Sequence, residues 1–238
     1  MIVAIPSKGR AGKMLTSKIF KNANIYVPES EVIQYKQFYS NIFGVPLSVK
    51  GITATRNYIL KENKGVNVVF IDDDLEYAGW IKKDKEKYKV KRIKDEHLWI
   101  CEFERYFELI MGLNWKIWGM NTVGNNLTSY AYQPFQLNGL ALGSCMGIIN
   151  DGEYYFNEDF KVKEDYELSM RHIRDKGGLL SVRYAFMQHE HTKMEGGCRE
   201  PERIIKEKQA ITKLINLFPG WIKKAKHRGT SFAIQLNY

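Results

Sequence analysis

Five short stretches of this chain carry residues whose types and spacing suit chemistry. The first is "VVFIDDDLEY", Val68–Tyr77, where an apolar run stops at Asp72, Asp73 and Asp74. Adjacent carboxylates repel one another, and their hard oxygens suit Mg²⁺ or Mn²⁺. Beyond a strand, alternate positions point the same way. Asp72 and Asp74 are therefore expected to face one ligand, with Asp73 turned elsewhere. The alternative is a solvated acidic turn.

The second stretch is "TATRNYIL", which brings Arg56, able to pair bidentately with a phosphate or carboxylate, and Asn57. The third is "PSKGRAGK", where Pro6, Ser7, Lys8, Arg10 and Lys13 surround Gly9 and Gly12. Basic side chains and backbone amides in such a turn suit an anionic ligand. The spacing is not that of a P-loop, and a plain basic turn is the alternative. In "KEDYELSMR", Glu164 and Asp165 stand where a helix begins. A carboxylate there is a candidate general base, or simply favourable charge at a helix N-terminus. In "QHEH", His189 and His191 alternate at the end of a strand, so both can face one site and complete a carboxylate metal shell, or serve only the core.

The elements that must position these residues alternate between strand and helix. "IVAIP", "ANIYVP", "PLSVKG" and "NVVFI" read as strands. Between them, Met14–Phe20 begins a helix, "PESEVIQYKQFYSNIF" is a helix, and "TATRNYILKEN" is a helix with Thr53 as its N-cap. This order predicts an α/β domain with a mainly parallel central sheet flanked by helices. In such sheets ligands bind beyond the carboxyl ends of the strands, where the basic turn and the aspartates fall. Further on, "WIKKDKEKYKVKRIK" is a basic hairpin or an excursion over the sheet. "DEHLWICEFERYFELIMG" is an amphipathic helix, with Leu98, Cys101, Tyr106, Leu109 and Ile110 as its core face. "LALGSCMGIIN" is a buried strand, "KEDYELSMRHIRDKGG" a helix stopped by glycines, and "LLSVRYAFMQHEH" a strand. "ERIIKEKQAITKLINLF" is a helix, followed by a basic cluster and a short strand. A long aromatic loop holds Tyr130, Tyr132 and Phe135.

Composition bounds the function. The chain has 238 residues, 44% of them hydrophobic, enough for one large domain. No apolar run approaches the ~20 residues of a membrane span, and "MIVAIPSKGR" reads as a first core strand rather than a signal segment. A soluble cytoplasmic protein is the expectation. Cys101, Cys145 and Cys198 are far apart, which excludes a zinc ribbon or a disulfide scaffold. The net charge of +9 favours a polyanionic partner, although an ordinary basic surface gives the same number.

Taken in order, "AIPSKGR", "ATRN" before "VVFIDDD", "KEDYELSMR" and a late histidine resemble the GT-A glycosyltransferases. Within that superfamily the chain is most similar to the phage TET-associated glycosyltransferases, which are implicated in adding sugars to hydroxymethylated pyrimidines in DNA. The resemblance implies one GT-A domain over 1–238, with a nucleotide-binding half (1–77), an acceptor and catalytic half (97–200) and a C-terminal helix and basic tail (201–238). It implies a DxD motif at Asp72–Asp74 and a metal, Mn²⁺ or Mg²⁺, held by Asp72, Asp74 and His191 or His189. It implies a UDP-sugar donor met by Pro6, Ser7, Lys8, Arg10, Arg56, Asn57, Asp72, Asp73, Lys193 and Arg199. Asp165, with Glu164, is the implied catalytic base, and the Gly-rich loop "TKMEGGCREP" is a candidate lid. DNA is the implied acceptor and the host cytoplasm the implied compartment. Rival readings are a glycosyltransferase acting on a saccharide, lipid or protein, a sugar nucleotidyltransferase, and a non-catalytic nucleic-acid-binding protein. The sequence leaves open the sugar, the stereochemistry and the oligomeric state.

Overall fold

The computed structural model describes residues 1–121, 132–190, 203–224 and 234–236. Its centre is a single mixed sheet. Strands β1 (Ile2–Pro6), β2 (Asn24–Pro28), β3 (Ile42–Val45) and β4 (Val68–Ile71) lie side by side in the order β3-β2-β1-β4, all parallel. Both faces of such strands are covered, so they read as unbroken apolar runs. All four residues of β4 are buried. Beyond β4 the order continues through β9 (Cys145–Ile148), β7 (Ile117–Asn121), β10 (Leu180–His189), β5 (Leu75–Asp84) and β6 (Lys87–Arg92), and β8 (Phe135–Gln136) also pairs with β10. β9 runs against both β4 and β7, while β7 and β10 run parallel to each other. The α/β fold with a mostly parallel sheet is thus the one expected. Two short strands, β11 (Ile222–Lys224) and β12 (Ile234–Leu236), pair apart from this sheet.

The helices are α1 (Val32–Lys36), α2 (Ile52–Glu62), α3 (Glu96–Gly112), α4 (Glu164–Lys176) and α5 (Arg203–Leu217). Several differ from expectation. The helix foreseen from Met14 is a single 3-10 turn, Thr16–Lys18, whose Thr16 side chain is spent on the Asp72 carbonyl. The helix foreseen from Pro28 to Phe43 is a 3-10 turn and the five-residue α1, because Ile42–Val45 joins the sheet as its edge strand in place of "PLSVKG". Gly51, at φ 87°, precedes α2 as its N-cap, while the expected cap, Thr53, bonds the Phe160 carbonyl at 2.9 Å.

On α3 the buried face is Trp99, Phe103, Tyr106, Phe107 and Ile110. Leu98 and Leu109, expected in the core, are 40% and 48% exposed. Trp99 and Phe103 stack into the β1–β7 core beside Phe20 and Trp118, and their bulk turns the helix by one position. The basic segment after Tyr77 is a hairpin, β5–β6. Among the described residues no helix is long and apolar enough to cross a membrane.

Candidate active site

The site forms where the sheet's parallel strands end. β1 and β4 pair with Ile2 opposite Val68 and Ala4 opposite Phe70. The same offset carries Ser7 to Asp73, and Ser7 Oγ donates to Asp73 Oδ2 at 2.5 Å. Arg10 closes an ion pair on the other oxygen, Oδ1. Tyr35 on α1 completes the cluster. Its hydroxyl lies 2.8 Å from Ser7 Oγ and accepts from the Arg10 amide at 2.8 Å. Asp73 is therefore an internal strut that pins the β1 loop to the end of β4. Burial drives its carboxyl up to about 6, against the lowering effect of Ser7 and Arg10.

Asp72 and Asp74 turn away from this strut, as alternation requires. Asp74 Oδ1 lies 2.9 Å from His189 Nδ1. The pairing follows from topology: β5 starts at Leu75, directly after the aspartates, and sets Leu75 opposite His189, with a register shift between Gln188 and His189. The His189 side chain is fully buried. It engages Asp74 and is not open to solvent.

Asp72, 30% exposed at its side chain, accepts from Arg56 Nη2 at 3.0 Å. The Arg56 guanidinium is buried beneath the aspartates, where it packs against Phe70 and Phe156. Nη2 also donates to the Gly143 carbonyl at 2.8 Å, and Nη1 donates to Glu164 Oε1 at 2.7 Å. Burial opposes the charge on Arg56, but Asp72, Glu164 and Asp165 outweigh it and raise the guanidinium further. One arginine thus ties the end of β4 to the start of α4.

The acidic pair divides its work. Glu164 is buried against Arg56, and burial followed by repulsion from Asp165 pushes its carboxyl up to about 7. Asp165 is half-buried at the helix start, where Oδ2 accepts from the Gly143 amide at 2.9 Å and Oδ1 from the Tyr166 amide at 2.9 Å.

Asp73 pairs with Arg10, Asp72 and Glu164 pair with Arg56, and Asp74 meets His189. The hard oxygens of these carboxylates are of the type a divalent cation takes. Among the described residues no three or more His, Cys, Asp and Glu side chains are grouped so as to hold a metal ion. His191 lies outside the described residues.

A family model described as TET-associated glycosyltransferase matches residues 1–197. The chain belongs to the TET-associated glycosyltransferase family. No match is found among curated proteins. Among solved structures, glucosyl-3-phosphoglycerate synthase of Mycobacterium tuberculosis, in complex with Mn²⁺, UDP and glucosyl-3-phosphoglycerate, is similar at 13% identity and a TM-score of 0.50, over 98% of this chain and 85% of that one. TarS 1–349 of S. aureus is similar at 12% identity and a TM-score of 0.47, over 91% of this chain. The present chain spans 66% of that TarS chain. The fold shared with the synthase is that of the GT-A glycosyltransferases.

The residues expected to meet the donor have these places in the structure. Arg56 has both Nη atoms on protein acceptors. Asn57 is buried and serves the chain: Nδ2 donates to the Phe156 carbonyl and to Glu158, and Oδ1 accepts from the Phe156 amide. Ser7, Arg10 and Asp73 hold one another. Pro6 is buried at the end of β1, and Lys8 is exposed on the loop. Lys193, Arg199, Tyr130 and the loop "TKMEGGCREP" lie outside the described residues.

Gly143 is the site residue that sequence reasoning missed. A Cβ there would stand 2.4 Å from Arg56 Nη1, so only glycine lets the backbone approach the guanidinium. A glycine interrupting the apolar run "LALGSCMGII" was the available signal.

Proposed function

We propose that this protein transfers a sugar from a nucleoside-diphosphate sugar, of the UDP-sugar class, to a hydroxyl of a hydroxymethylated pyrimidine in DNA. The observation that carries the reading is the bridge made by Arg56. In a chain of this family, it joins an aspartate of the DxD sequence to the acidic pair of α4. The donor end and the acceptor end of a transfer site are then built on one rigid support.

A divalent cation, Mn²⁺ or Mg²⁺, would be held by Asp72, Asp74 and His191, and when bound it supplies positive charge to the departing diphosphate. The chain's own residues prepare that arrangement. Arg56 and His189 fix the two aspartates through one oxygen each. Ser7, Arg10 and Tyr35 lock the loop that carries Lys8, which brings a mobile positive charge beside the diphosphate. Asp165, oriented by the Gly143 amide, takes the proton from the acceptor hydroxyl in an inverting reaction. Glu164 holds Arg56 and is a positioning residue. Lys193 and Arg199, outside the described residues, are further proposed donor-binding residues. The divisions 1–77, 97–200 and 201–238 correspond to donor half, acceptor half and tail.

The test is donor turnover. Purified protein incubated with a panel of UDP-sugars should release UDP in the presence of Mn²⁺ and stop on adding a chelator. No release from any donor, with or without the metal, removes the reading.

A further inference from the structure

The β5–β6 hairpin concentrates the chain's charge. From Lys82 to Lys94, eight basic side chains against Asp84 and Glu86 give +6 of the net +9. The register fixes how they are displayed. Trp80 lies opposite Lys91, Lys82 opposite Lys89, and Asp84 opposite Lys87. Cross-strand partners share a face, so Lys82, Lys87, Lys89 and Lys91 form one lysine surface, and all four are exposed. Among the described residues Asp84 pairs with Lys89 at 2.7 Å, while Lys82, Lys87 and Lys91 make no ion pair.

Like charges placed directly opposite one another destabilise a ladder. Lysine on an edge strand guards against aggregation, and that accounts for β6. It does not call for the further lysine of β5, Lys82, set opposite Lys89. The pairing of β5 with β10 stops at Trp80 opposite Ala185, so the lysine-bearing part of the hairpin stands clear of the sheet. Its other face carries Arg92 over the Tyr77 ring at 4.1 Å, and Tyr88 against the exposed Tyr132.

The hairpin is also tethered to the site. β5 begins at Leu75, next to Asp74, and seven residues of strand cover about 23 Å. Lys82 therefore lies within one duplex turn, about 34 Å, of the aspartates.

We propose that the lysine face of the β5–β6 hairpin is the surface on which the phosphate backbone of duplex DNA docks, presenting a neighbouring base to the aspartate end of the sheet. This rests on the DNA-acceptor reading above. Such contacts set position and not sequence, so binding is steeply salt-dependent and indifferent to base identity.

The test measures binding of the full chain to a fluorescent duplex between 50 and 200 mM salt. Removing four phosphate contacts with Lys82→Gln, Lys87→Gln, Lys89→Gln and Lys91→Gln together should make the slope of log K against log salt shallower by about 3 to 4. The same four positions changed to Arg should keep the slope. A control that neutralises Lys18, Lys21, Lys36 and Lys64 should leave it near wild type. UDP release without DNA should be unchanged in every variant. A hairpin variant with the wild-type slope, or with the slope of the control, overturns the inference alone. Failure of the wild-type chain to bind any duplex at 50 mM salt overturns the DNA-acceptor reading as well.

Discussion

Ser7 Oγ donates to Asp73 Oδ2 at 2.5 Å across the ends of two parallel strands. This bond, with the Arg10 ion pair beside it, gives the middle aspartate partners of its own, while Asp72 meets Arg56 and Asp74 meets His189; the proposed ligand residues are Asp72 and Asp74. The three positions should then respond differently to substitution. Asp73→Asn should cost about 1.5–3 kcal/mol, the range for a hydrogen bond to a charged group, and should raise KM for the donor while metal dependence persists. Asp74→Asn should abolish metal-dependent turnover in a folded protein. Urea unfolding and Mn²⁺ titrations of UDP release check both. Equal behaviour of the two variants contradicts the division.

Arg56 is a buried charge with two carboxylate partners. Breaking such a pair from one side costs about 3–5 kcal/mol. Arg56→Met should therefore lose stability on that scale in urea. Arg56→Lys should keep the charge but lose the planar fork that reaches Asp72, Glu164 and Gly143 together, and should lower kcat by more than tenfold. A fully active Arg56→Lys variant would show that the bridge is not needed.

Gly143→Ala sets a methyl group 2.4 Å from Arg56 Nη1. Overpacking of this kind costs about 1–3 kcal/mol. The displaced guanidinium would carry Asp72 and Glu164 with it, so kcat should fall along with stability. Gly152→Ala meets only the flexible end of Lys64 at 3.1 Å, but it strains a backbone at φ 96°, which Gly143 does not share. It should lose stability through that strain and leave kcat intact, which separates loss of stability from displacement of Arg56.

The raised Glu164 carboxyl makes a pH prediction. Its ordinary value is 4.5 and its folded value about 7, raised by burial and by Asp165 and lowered in part by Arg56, with Asp72 also facing it. The folded chain then binds the extra proton between these values. The contribution to stability is fully present below pH 4.5 and is lost as the pH rises through about 7. The stability of wild type minus that of Glu164→Gln should therefore fall from pH 4.5 to pH 7.5. A difference that grows over this range contradicts the assignment.

Of the parallel strands, β1, β2 and β4 were legible because strands buried on both faces read as apolar runs, while the edge strand β3 was not; the carboxyl ends of such strands gave the place of the candidate site. That Asp73 turns to other partners than Asp72 and Asp74 was legible from the period-two alternation at a strand end. The role of Arg56 was not. An arginine on an amphipathic helix reads as exposed or ligand-binding, and only Phe70, Phe156 and Gly143, distant in sequence, show that the chain closes over it. The bonds of Asn57 to Phe156 and Glu158 were hidden in the same way. On α3 the pattern gave the helix and, at Tyr106 and Ile110, part of its buried face, but aromatic bulk at Trp99 and Phe103 took the places expected of the leucines.

Sugar transfer to DNA is read by incubating the protein with Mn²⁺, a panel of UDP-sugars and duplex DNA containing hydroxymethylated pyrimidines, then measuring the digested nucleosides by mass spectrometry. The expected product is a nucleoside heavier by one sugar residue, absent with unmodified DNA and absent with Asp74→Asn. UDP release with no change in any nucleoside mass would contradict the DNA acceptor.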